Sequence, residues 1–192
     1  VQTLLLGMNP GPFGMAQTGI PFGEITVVKE YLQIEEPIGK PLIEHPKRPI
    51  VGLATQRKEV SRQRLWGLIQ EYYPEAQDLV GSVAVINYCP LVFMERTPTG
   101  KNVTPDRLGL GERMALEAIC DSYLYDMLSL LKPTFALGVG KYAENKLLTV
   151  GKEFESITVS SILHPSPINP RANRGWAGIV RAQLDEIGIF NE

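Results

Sequence analysis

Asn9, Asn87 and His164 stand just beyond short apolar runs, at residues 3–6, 83–86 and 157–163. Runs of this kind are buried strands, and in a parallel sheet the carboxyl ends of the strands lie along one edge. Three side chains far apart in sequence can therefore meet there. They offer hydrogen-bond chemistry: an amide both donates and accepts, and a neutral imidazole donates one bond toward negative charge developing on a substrate oxygen. No obvious carboxylate base and no activated Ser or Cys nucleophile stands among them, so the set suits recognition and oxyanion stabilisation.

The loops that carry Asn9 and His164 share unusual ingredients: Gly7-Met8-Asn9-Pro10-Gly11-Pro12-Phe13-Gly14-Met15, and His164-Pro165-Ser166-Pro167-Ile168-Asn169-Pro170-Arg171-Ala172-Asn173-Arg174-Gly175-Trp176. Proline cannot continue a sheet ladder and glycine lets backbone come close to another group, so both read as stiff loops facing one another across a cleft. An Asn at such a place is often only a turn former, and a lone His only a structural residue. Here two prolines already stiffen the first turn. The second loop carries two Asn, two Arg and a Trp that a turn does not need, and Pro165 favours an extended backbone at His164.

A third motif, Gly138-Val139-Gly140-Lys141-Tyr142-Ala143, fits the G-x-G-x-x-G/A dinucleotide pattern between a strand and a helix. It follows the third apolar run of the chain, whereas the fingerprint belongs to the first strand of its unit. The helix start at Gly140 and Lys141 remains a seat for a phosphate, whether of a cofactor or of DNA. A nucleotide-binding oxidoreductase is thus one reading.

Positioning these loops requires strands at 3–6, 83–86, 135–137 and 157–163 with helices between them. Ser61 caps a helix that reaches Tyr73 and stops at Pro74, and Thr104-Pro105 precedes a long one over 111–131 that Lys132-Pro133 ends. A third starts after Gly140, and a last one runs from Gly175 to Ile187 and closes at Gly188. The alternation predicts an α/β fold: a three-layer α/β/α domain around a central, mostly parallel four-stranded sheet, with residues 1–192 as a single domain. Residues 34–60, with Pro37, Pro41, Pro46 and Pro49 among basic side chains, form either a stiffened surface excursion or a functional loop.

At 192 residues and 44% apolar content the chain can fill one continuous core. It has no run apolar enough to span a membrane and no signal-peptide pattern, so a soluble intracellular protein is expected, without a membrane partner. The chain opens inside a strand and without Met, which predicts an upstream segment. Cys89 and Cys120 are the only cysteines and the two histidines are far apart, which argues against a disulfide framework, a zinc site or an iron–sulfur cluster. The net charge of −2 hides local fields. Residues 156–184 contain no acid but hold Arg171, Arg174 and Arg181, and residues 40–58 set five basic side chains against Glu44 alone.

Taken together, these motifs resemble the single-strand-selective monofunctional uracil-DNA glycosylases. The first loop, continued by Ala16-Gln17-Thr18-Gly19-Ile20-Pro21-Phe22-Gly23-Glu24, and the second loop are similar to the two signature motifs of that family. So are Arg48-Pro49-Ile50-Val51-Gly52-Leu53, Glu59-Val60-Ser61, Asn87-Tyr88-Cys89-Pro90-Leu91, Asn102-Val103-Thr104-Pro105, Ile119-Cys120-Asp121 and Gly138-Val139-Gly140.

The resemblance implies the uracil-DNA glycosylase fold and a base-flipping enzyme that cuts the bond between a base and its sugar, needs no cofactor or metal, and acts on single- or double-stranded DNA as a monomer. It assigns Asn9 to the attacking water and His164 to uracil O2. Asn87 would read the base, Phe22 stack on it and Met8 line its pocket. Gly11 leaves room for water and for oxidised 5-substituents such as that of 5-hydroxymethyluracil. The second loop, from Pro165, Ser166, Pro167, Ile168, Asn169 and Pro170 to Arg171, Asn173 and Arg174, would enter the duplex and meet its phosphates, with Gly140 and Lys141 nearby. The position of Ile168 is often Arg in better-known relatives. No motif offers a lysine placed for Schiff-base chemistry, so no strand break is expected. A non-catalytic sensor of damaged bases on the same scaffold is the rival. The expected location is the cytoplasm or nucleoid of a bacterium, or the nucleus of a eukaryote.

Overall fold

The computed structural model describes residues 1–55 and 60–189. Glu59 of the fifth motif and the basic residues Arg57 and Lys58 lie outside the described residues. In chain order the main elements are β1 (Thr3–Gly7), the short helices' first member α1 (Met15–Thr18), α2 (Val60–Tyr72), β2 (Val83–Asn87), β3 (Phe93–Met94), β4 (Asn102–Val103), α3 (Leu110–Leu131), β5 (Phe135–Val139), α4 (Lys141–Val150), β6 (Thr158–Ile162) and α5 (Trp176–Ile187).

The strands β1, β2, β5 and β6 form one sheet in the order β2-β1-β5-β6, every neighbouring pair parallel. Parallel strands are covered on both faces, which is why they read as continuous apolar runs. Alternation along β1 sends Leu4 and Leu6 to one face and Leu5 to the other. Leu4 and Leu6 pack with Ala136 against Leu124 and Leu128 of α3 and Leu147 of α4. Leu5 packs with Leu137 against Leu65 and Ile69 of α2 and Val180 and Leu184 of α5. This gives the three layers. Strands β3 and β4 pair antiparallel in a separate hairpin.

Two boundaries differ from expectation. The helix α2 already includes Val60, so Ser61 sits in its first turn rather than capping it. Pro105 opens a short 3₁₀ turn over Pro105–Arg107, and α3 starts only at Leu110, behind Gly109. A π-helical turn at Val27–Tyr31, which no periodicity announces, buries Val27 and Val28. The acid-free stretch also loses one free cation, because Arg181 pairs with Glu71 of α2 at 2.5 Å.

The topology sets where a ligand can enter. The chain leaves β1 toward β2 and leaves β5 toward β6, in opposite directions, so the loops after β1 and β5 diverge. A crevice opens there, at the carboxyl ends of the strands.

Candidate active site

The register puts Gly7 of β1 beside Asn87 of β2. Pairing continues past both strands, with Tyr88 N–H donating to Gly7 O and Cys89 N–H to Met8 O, each at 2.9 Å. The backbones that carry Asn9 and Asn87 are therefore zipped together. Behind them, Tyr88 Oη donates to Asp121 Oδ1 at 2.6 Å, and Lys146 of α4 pairs with Glu117 at 3.2 Å, which ties this strand end to α3 and α4.

The first loop is braced from below. Buried Gln17 donates through Nε2 to Pro12 O and Pro49 O, both at 3.0 Å, and accepts Val51 N–H at 2.9 Å. Buried Arg62 of α2 donates to Phe13 O. Asn9 spends its NH₂ group on the Pro10 and Leu91 carbonyls, at 3.2 and 3.4 Å. Its Oδ1 is left as an acceptor in the cleft.

Asn87 is only 5% exposed. Its Nδ2 lies 3.2 Å from Met15 Sδ, a thioether that only accepts, which keeps the NH₂ on that side. Its Oδ1 lies against Gly7. A Cβ at Gly7 would overlap that oxygen and come within 2.6 Å of Phe22 Cε2, so the bare glycine is what lets amide and ring sit together. Phe22 occupies a turn closed by Gly23 N–H to Ile20 O at 2.7 Å, with Pro21 second and Phe22 third at φ +53°. That is a type II arrangement, whose third position normally takes Gly, so the ring is held at some backbone cost.

His164 is fixed by two neighbours. Ser166 N–H donates to its Nδ1 at 3.1 Å, so Nδ1 carries no proton and the neutral ring bears its hydrogen on Nε2. Gly140, at φ +90°, packs against the ring, where a Cβ would come within 3.2 Å of Cδ2. Gly138 likewise abuts the α4 backbone at Glu144. The glycines of the dinucleotide-like motif thus serve strand–helix packing and the seating of His164, which requires no nucleotide. Burial holds the ring below the ordinary histidine value of 6.5.

A stability effect follows. As pH falls below 6.5 the unfolded chain takes up a proton at this position that the folded ring resists, so stability is full above that value and declines beneath it. His164→Gln is expected to flatten this part of the urea-midpoint profile between about pH 7 and about pH 5. An unchanged slope would show that the ring titrates alike in both states.

The cleft has a volume of about 790 Å³, and Met8, Asn9, Gly11, Phe22, Asn87 and His164 all line it. A Cβ at Gly11 meets nothing within 4 Å, so that flank is open. From the rest of the second loop, Ser166 and the 90% exposed Ile168 reach the wall. The loop's other candidate residues lie beyond it. Asn169 Oδ1 accepts Arg171 N–H at 3.0 Å and Asn173 Nδ2 donates to Pro167 O at 2.8 Å, so both amides build the loop itself. Lys141 pairs with Glu144 at 2.8 Å and does not line the cleft.

The cleft also has two basic residues that were given no role at the site, Arg48, although it heads a quoted motif, and Lys101. Arg48 lies 5.0 Å above the Phe13 ring and is bonded to Gly100 O at 3.1 Å. The basic segment around Pro46 and Pro49 is therefore docked on the β3–β4 hairpin. Its cationic, Pro-rich composition was the available signal; Lys101 had none. Among the described residues no group of three or more His, Cys, Asp or Glu could hold a metal ion, and no helix is long and apolar enough to cross a membrane. Cys89 and Cys120 are buried free thiols, Cys120 pushed up to about 12 by burial.

The profile of the "Uracil DNA glycosylase superfamily" matches residues 1–180. The chain is 40% identical over 190 residues to "Single-strand selective monofunctional uracil DNA glycosylase" of Bos taurus, spanning 98% of this chain and 69% of that protein. It is 42% identical over 190 residues to the Rattus norvegicus protein of the same description, spanning 98% and 68%. Among solved structures it is similar to wild-type SMUG2 of Pedobacter heparinus, with a TM-score of 0.71 at 20% identity, covering 97% of this chain and 74% of that one.

Proposed function

Since the chain belongs to the uracil DNA glycosylase superfamily, we propose that it flips uracil out of DNA and hydrolyses its N-glycosidic bond, leaving an abasic site. The observation that carries this reading is a single cleft lined both by the acceptor oxygen of Asn9 and by a neutral His164 with its proton on Nε2.

An amide is no general base at neutral pH, so Asn9 orients a water without deprotonating it. The C1′–N1 bond then breaks by departure of the uracil anion, leaving a sugar cation that the DNA phosphates stabilise until the oriented water adds to C1′, its surplus proton passing to solvent or to the released uracil anion. His164 Nε2–H donates to O2 of the departing anion. Asn87 accepts from N3–H and donates to O4, while Phe22 stacks on the ring and Met8 lines the pocket. Cytosine offers the reverse pattern and leaves two buried groups unpaired, at about 1–3 kcal/mol each.

The open flank at Gly11 holds a water or an oxidised 5-substituent, which extends the substrates to 5-hydroxymethyluracil. Thymine displaces that water without replacing its bonds. One monomeric domain suffices for single- and double-stranded DNA, with Arg48, Lys101, Arg171 and Arg174 near phosphates and Ile168 as an apolar wedge in the vacated stack. A DNA substrate puts the protein with the genome.

Single- and double-stranded oligonucleotides carrying uracil, 5-hydroxymethyluracil or thymine test this without added cofactor. Alkali-labile sites are expected at the first two bases, with strands intact before alkali and no covalent complex trapped by borohydride. Equal rates on uracil and thymine would overturn the account of Gly11, and no alkali-labile product at uracil would leave only base binding. The wedge has its own test. Ile168→Arg adds a phosphate contact and is expected to steepen the salt dependence of duplex binding by about one unit of slope. An unchanged slope would remove Ile168 from the DNA interface.

A further inference from the structure

Arg64 of helix α2 hydrogen-bonds to the second loop at two points. Arg64 donates through Nη1 to Pro165 O at 2.9 Å and through Nη2 to Asn173 Oδ1 at 3.1 Å. Asn173 then donates through Nδ2 to Pro167 O at 2.8 Å. The loop is thereby closed on itself, root to far end, around a guanidinium whose planar fork fixes two acceptors at once.

The peptide that Arg64 holds is the one that governs His164. Pro165 C=O and Ser166 N–H belong to the same planar trans unit, so they point to opposite sides. With the carbonyl captured by Arg64, the N–H is directed the other way, and it donates to His164 Nδ1 at 3.1 Å. The next bond, Ile168 N–H to Ser166 Oγ at 3.3 Å, carries the same constraint to the wedge tip. Leu163, just before His164, is independently tied to α5 through Trp176 Nε1 at 2.7 Å and Gln183 Oε1 at 2.9 Å. The α5 ties hold the strand end but do not bond the 165–166 peptide. Its carbonyl is held by Arg64.

We propose that Arg64 is a positioning residue: through the 165–166 peptide it holds His164 in the Nε2–H tautomer, and through Asn173 it holds Ile168 at the tip. This rests on the glycosylase reading for its catalytic consequence, though not for its structural one. A rotated peptide would present no donor to Nδ1, and the proton could then occupy either ring nitrogen.

The test uses the whole chain with Arg64→Gln and Arg64→Lys. Lysine keeps the charge but lacks the fork, so both variants are expected to behave alike. Nitrogen-15 NMR of the histidine ring in free protein should show one tautomer in the parent and a mixture in the variants. Single-turnover excision from single-stranded DNA should fall about tenfold, with KM changed less than twofold and the salt slope unaltered. In a His164→Ala background the same substitutions should cost less than twofold. Asn173→Ala, which leaves the bond to Pro165, should preserve the single tautomer and guards against an Arg64 variant that does not fold.

An unaltered tautomer in both Arg64 variants would overturn the proposal. So would full rescue by lysine together with a salt slope reduced by about one in the glutamine variant, the signature of a phosphate contact. If the parent excised nothing, the glycosylase reading would fail while the tautomer result still judged Arg64.

Discussion

Alanine at His164 is expected to slow single-turnover uracil excision by about 10²–10³-fold, the range found when one preorganised donor to a developing oxyanion is lost. The expectation rests on geometry and charge together. The Nδ1 lone pair is taken by Ser166 N–H, so the one N–H of the ring is on Nε2, and burial, which holds the ring below the ordinary histidine value, favours the neutral form. A neutral donor costs little to hold next to an uncharged base and gains strength as that base becomes an anion. It therefore acts on the transition state more than on the ground state, and the loss should appear in the rate rather than in KM. His164→Asn, with a shorter donor, should recover little. A variant that excised within threefold of the parent would mean that the leaving group finds its stabilisation elsewhere in the cleft.

Alanine at Gly7 is expected to be nearly as damaging, although Gly7 touches neither water nor sugar in the mechanism. The added Cβ would overlap Asn87 Oδ1 and press within 2.6 Å of Phe22 Cε2. The group that reads the base and the ring that stacks on it must both move. Asn87 is buried, and the backbone that carries Phe22 is held in a turn with φ +53°, so relief means swinging the ring into the base pocket itself. Displacements of about 1 Å cost around 10²-fold where a reacting geometry is preorganised, and a loss of that size is expected here. The strand backbone accepts alanine readily, so circular dichroism and thermal unfolding should show a folded protein. Retention of more than a third of parental activity would contradict the packing of these three residues as a unit.

What could be read in advance follows from how each feature is encoded. Asn9, Asn87 and His164 were legible because apolar runs announce buried parallel strands, and parallel strands deliver their ends to one edge. The layers were legible for the same reason. The braces were not. Arg64 and Pro165 are 101 residues apart, and nothing local in the sequence around Arg64 distinguishes it from a solvated helix arginine. Lys101 and Arg48 become neighbours of the cleft only when the Pro-rich segment docks on the hairpin, a contact made through backbone acceptors such as Gly100 O. The Gly138 motif is ambiguous because a strand–helix junction needs small residues whether or not a phosphate binds there. Ser61 has the composition of a cap, but the helix had already begun at Val60.

The account is tested most directly by measuring free uracil released from a single-stranded oligonucleotide in one turnover, for the parent, Asn9→Ala and His164→Ala, with binding to the same oligonucleotide followed in parallel. The parent is expected to release uracil without cofactor, and each variant to bind comparably while releasing it at least about 10²-fold more slowly. Release at the parental rate by either variant, or none by the parent, would contradict the claim that these two loops form one hydrolytic site.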